Sequence, residues 1–147
     1  MGASVWDYTV PYREDFAAAL AELQEKVFAD GDYYWARGQI FTPASDHGDR
    51  PATVDELWED ELVQQEGTHS ILDMQRVLPE GAASEFGGVR PVTAAEALSC
   101  AGTERLTTAH MPLFDDLTGP RWTGRCAVLH DAAGRPESIH FWGYSGD

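Results

Sequence analysis

A chain of 147 residues with 25 Asp+Glu against ten Lys+Arg carries a formal net charge of -15, yet holds five Trp, five Tyr and six Phe within a hydrophobic fraction of 43%. Acidity alone would signal disorder, but this aromatic content signals a packed core, and the length suits one domain over residues 1–147. The charge argues against naked nucleic acid, whose phosphates need a basic surface, and no stretch approaches the roughly 20 apolar residues that cross a bilayer.

The N-terminus lacks the basic and apolar regions of a secretory leader, and Trp6 breaks the myristoylation pattern, so a cytoplasmic protein without a membrane partner is expected. Residues 5–10 alternate Trp6, Tyr8 and Val10 with Asp7 and Thr9, the period of a half-buried strand that Pro11 ends. From Arg13 to Ala29, Phe16, Leu20, Leu23 and Val27 recur at helical spacing, with Asp30-Gly31 as the stop. The aromatic weight of residues 32–41 favours a strand or a bulged strand. Residues 42–51, which include Asp46-His47-Gly48-Asp49, are dense in turn formers and read as an exposed loop.

Two helix starts share one grammar. Thr53 and Thr93 each stand three residues before a glutamate, Glu56 and Glu96, which is the spacing of a capping box. The first helix is expected to turn Val54, Leu57, Trp58 and Leu62 inward and to end near Gly67; the second turns Ala97, Leu98 and Ala101 inward and ends at Gly102. Residues 70–78 read as a strand, with Leu72, Met74 and Leu78 on one face and Asp73 on the other. Residues 79–90 read as a Gly-rich loop, and residues 107–117 as a short helix broken by Gly119-Pro120. Finally, residues 121–130 and 137–144 flank a turn at Ala133-Gly134, which sets Val128 opposite Ile139, Cys126 opposite Phe141, Arg125 opposite Trp142 and His130 opposite Glu137. Together these elements predict an α+β fold: an antiparallel sheet of four to six strands ending in a C-terminal β-hairpin, with two or three helices on one face.

Candidate functional residues fall into two groups. Asp55, Glu56, Glu59, Asp60, Glu61 and Glu66 are offset by no base, and with Trp58 they suggest a docking surface for a basic protein; a solvated helix face explains the same acids. Arg125 and Trp142, on a strand face, suit recognition if that face is open, and are core if a helix covers it. For acid–base chemistry the candidates are His69 with Asp73, His130 with Glu137, and His140. No two histidines or cysteines have metal-ligand spacing, and no nucleotide-binding or nucleophile motif occurs, so no metal or cofactor is expected. Cys100 and Cys126 read as reduced, buried thiols.

In size, acidity and aromatic content the chain is similar to small bacterial immunity and antitoxin-like proteins, a likeness of overall character that transfers no residue. It implies a non-enzymatic module covering a basic partner. The competing expectation is a small enzyme or small-molecule-binding protein with an aromatic and Arg-lined pocket using His69 or His140.

Overall fold

A computed structural model describes residues 4–39 and 50–146. Ile40, Phe41 and the Asp46-His47-Gly48-Asp49 segment lie outside the described residues. The chain forms β1 (Val5–Pro11), α1 (Phe16–Asp30), a 3-10 turn at Ala36–Gln39, α2 (Val54–Glu59), α3 (Glu61–Glu66), a 3-10 turn at Ile71–Asp73, β2 (Arg76–Val77), β3 (Gly88–Pro91), α4 (Ala94–Ala101), a 3-10 segment at Thr108–Leu117, β4 (Thr123–His130) and β5 (Pro136–Tyr144).

The fold is α+β, but the sheet is mixed rather than antiparallel. Its order is β1-β5-β4-β3-β2, with β1, β5 and β4 antiparallel and β4, β3 and β2 parallel. The parallel strands follow from the connections: α4 and the 3-10 segment after it intervene between β3 and β4, the kind of crossover that parallel neighbours require. Helical segments also cover both faces instead of one. Leu20, Leu23 and Val27 of α1, Leu57 and Val63 pack with Trp6, Val89, Cys126, Ile139 and Phe141 on one side. Ala97, Leu106 and Phe114 pack with Ala127, Leu129 and Trp142 on the other.

Local chemistry sets the boundaries. Asp15 caps α1 by accepting from the Ala17 N–H, and Gly31 closes it in the left-handed conformation. At α4 the capping box is complete; at α2, Thr53 accepts from the Glu56 N–H but the Glu56 carboxylate reaches the Ala52 N–H instead. One helix was expected over 53–66, and Asp60 splits it. Its extended backbone ends α2, and its carboxylate caps α3 by accepting from the N–H groups of Leu62 and Val63. The break rotates α3, so Val63 is buried and Leu62 only half-buried. Leu98, expected inward, is exposed.

Of two expected strands, one does not form over the described residues 32–39 and the other shrinks to two residues. Residues 32–39 send Tyr33 and Trp35 into the core as single anchors from irregular chain, and the Tyr34 N–H donates to the Thr68 carbonyl at 2.8 Å. Over 70–78 a Ser70 cap starts a 3-10 turn, which buries Asp73 beside Leu72 and Met74 and leaves two strand residues. The β4–β5 register matches the expected one through Leu129 opposite Ser138. A bulge then places His130 opposite Pro136, so the His130–Glu137 pair does not form. In the turn, Asp131 accepts from Ala133 and Arg135, and Gly134 has φ 80°. Among the described residues no helix is long and apolar enough to cross a membrane.

Candidate functional site

The strand face carrying Arg125 and Trp142 is interior. Arg125 is 2% exposed and sends Nη1 and Nη2 to the two Glu96 carboxylate oxygens at 2.9 and 2.6 Å; further bonds run to the carbonyls of Arg90, Pro91 and Leu117. This guanidinium ties β3, α4 and the 108–117 segment to β4, and its hydrogen bonds hold the Glu96 carboxyl down at about 2. Trp142 donates its indole N–H to Thr118 and stacks on Phe114. Both residues brace the fold, because α4 and the segment after it cover them.

The candidate histidines His69, His130 and His140 are likewise engaged. His140 is buried, its Nδ1 2.8 Å from the Thr9 hydroxyl and its ring beside those of Phe114 and Trp142; burial pushes its pKa below the usual value, against the opposing charge of Asp7. His130 Nδ1 lies 3.0 Å from the Leu106 carbonyl. His69 adopts φ 53° and turns its ring to the Ser4 hydroxyl, 2.9 Å from Nδ1, and to the Tyr34 ring. The chain bends there and brings Asp73 close to His69, whose ring charge and backbone N–H both favour the ionised carboxylate. Glu137 is exposed on β5, and Cys100 is half-exposed rather than buried. Burial pushes the Cys126 thiol up to about 12.

Asp73 is the unusual group. It is 5% exposed; Oδ1 accepts from the Thr68 N–H at 2.6 Å and the Thr68 hydroxyl at 2.8 Å, while Oδ2 is buried with no hydrogen-bond partner. Burial pushes this carboxyl above its usual range, against the two Thr68 bonds. It lies in the wall of an open cleft of about 300 Å³, together with Trp58, Val63, Gln64, Gln75, Phe86 and Trp122.

The cleft is assembled from four places in the chain, with unusual backbone around it. Trp58 is fixed by donating its indole N–H to the Leu72 carbonyl at 2.6 Å, and Phe86 lies 5.1 Å from the Trp122 ring. Trp122 has φ 62°, and Gly67 has φ 76° and ψ -179°. A Cβ on Gly67 would stand 2.9 Å from Asp73 Oδ2 and 3.1 Å from the Trp122 ring, so only glycine lets the three meet. No protein-family model, curated protein or solved structure matches the chain.

The cleft adjoins the acidic helices, which supply Trp58, Val63 and Gln64 to it. Of their acids, Asp60 is structural: burial raises its carboxyl, but the Arg37 ion pair and the Val63 and Leu62 N–H groups outweigh that and hold it below the usual range. Glu56 caps α2. Asp55 and Glu59 remain exposed, one turn apart on the strip of α2 that also carries Trp58, and Glu61 is exposed at the start of α3. Among the described residues no three His, Cys, Asp or Glu side chains converge as a metal site. A second hollow of about 350 Å³ lies between β1 and α1, but its Arg13 and Glu22 pair with each other and no orphaned group faces it.

Proposed function

We propose that the protein is a non-enzymatic binding module that engages a basic protein through the α2–α3 face. The observation that carries this reading is the buried, unpartnered Asp73 oxygen beside an aromatic cleft, on elements whose exposed acids Asp55, Glu59 and Glu61 have no base in residues 51–75 to offset them. A buried carboxylate with one oxygen left unpartnered under an apolar wall raises the affinity of that wall for a cation, and the exposed acids steer a basic surface toward it. Arg125 and Trp142 are not part of this surface.

Affinity capture from native extract, comparing wild type with Asp55→Lys/Glu59→Lys/Glu61→Lys at low and high salt, tests the reading. The expected result is a basic protein retained by wild type, lost on charge reversal and released steeply by salt. Capture indifferent to both refutes it.

A further inference from the structure

We infer that the cleft beneath α2 and α3 is a pocket for one lysine side chain of the basic partner; this rests on the binding reading above and specifies its anchor. The walls suit a lysine. Trp58, Trp122 and Phe86 offer ring faces that attract a cation and cover a four-carbon stem, and Val63 extends the apolar surface. Beneath them sits Asp73, whose Oδ2 is shut away from water and unpartnered, so its charge acts on the cleft through space with little screening.

Among the described residues no cationic side chain lines the cleft. Gln64 commits its Nε2 to the Trp58 carbonyl at 2.9 Å, leaving its oxygen as an acceptor. Arg76, next in sequence to Gln75, is already paired with Glu85 at 2.8 Å. An arginine suits this arrangement less well, because Thr68 occupies Oδ1 and the carboxylate presents no free pair of coplanar oxygens for a guanidinium fork. The compact charge of an ammonium needs no such pair.

The test is a titration of ¹⁵N-labelled protein with Nα-acetyl-lysine methylamide and with its arginine counterpart at low salt, read on the tryptophan indole N–H signals. Lysine amide is expected to move the Trp58 and Trp122 signals, and arginine amide to bind about threefold or more weakly. Asp73→Asn keeps the acceptor for Thr68, and Phe86→Ala removes a ring that is 55% exposed, so both variants fold; each is expected to weaken lysine amide roughly fivefold. Arginine amide binding as tightly as lysine amide, or both variants binding it like wild type, overturns the pocket. If lysine amide leaves both indoles unmoved while a lysine-rich peptide still loses binding on Asp55→Lys/Glu59→Lys/Glu61→Lys, the pocket falls and the acidic-face reading stands. A peptide indifferent to charge reversal and to salt overturns that wider reading and, with it, the pocket's assignment to a basic partner.

Discussion

Replacing Asp73 by asparagine removes one buried charge while leaving an oxygen where Thr68 needs an acceptor. Thr68 is fully buried, so keeping its two bonds to Oδ1 preserves the local turn. What changes is the atom at Oδ2, an ionised oxygen with no partner that becomes a neutral amide nitrogen. An unsatisfied buried polar group costs about 1–3 kcal/mol, more when charged, so the exchange should stabilise the fold by about 1 kcal/mol at neutral pH. For a chain of this length that is a rise of about 2–4 °C in Tm. Asp73→Ala removes the acceptor as well and should cost about 2 kcal/mol. The pH dependence gives the sharper check. Because burial raises the Asp73 carboxyl in the folded state, the wild-type penalty exists where the group is ionised, shrinks as pH falls through the raised value, and is gone below the unfolded value near about 4. Denaturant unfolding of both proteins across this range should show the asparagine advantage vanish toward acid. An asparagine variant as unstable as the alanine one, or an advantage that ignores pH, would refute the argument.

Further consequences concern the residues that hold the site and sheet together. Gly67→Ala, at a backbone conformation suited to glycine and against Asp73 and Trp122, should lower stability by about 1–3 kcal/mol in chemical denaturation. Glu96→Ala leaves the Arg125 guanidinium buried without its counter-charge and should cost about 3 kcal/mol at pH 7. That loss should diminish as pH falls from about 4.5 toward about 2, because the wild-type carboxyl, held at about 2, contributes fully only above its unfolded value. Asp60→Ala loses two N–H partners and the Arg37 ion pair, with an expected cost of about 1–2 kcal/mol by thermal melting. A thiol reagent should modify the half-exposed Cys100 in the native protein, and Cys126 only after unfolding.

The readable parts of the fold were those whose signal is local. The caps at Thr93 and Gly102 and the apolar spacing of Leu20, Leu23 and Val27 located α4 and α1, alternation located β1, and the turn placed at Ala133-Gly134 set the β4–β5 register through Leu129. Segments whose geometry is decided by distant partners were misread. Strands β2 and β3, with two and four residues, are too short to show a period, and only the pairing of β3 to β4 and of β2 to β3 makes them strands. Asp73 alternated onto a notional solvent face, and the Ser70 cap, a side-chain to backbone bond, turned it inward. Trp58, now a wall of the cleft, could be singled out as a candidate because it lies among the acids. Phe86 gave no such signal, and the left-handed backbone that brings Trp122 to the cleft follows no local pattern; the polar run Thr68-His69-Ser70 next to Asp73 was the one clue to the cleft's floor.

The pairing of β1 with β5 joins the two extremities of the described chain: the Ser145 N–H donates to the Ser4 carbonyl at 2.8 Å, and the Ser4 N–H donates to the Ser145 hydroxyl at 3.1 Å. During synthesis β1 emerges well before β5 and must therefore wait, unzipped, until β5 is delivered. Its Trp6 side chain meanwhile lacks the β5 partners that enclose it. Maturation is governed by a late, long-range closure, which makes the nascent N-terminal segment a natural client for a holding chaperone.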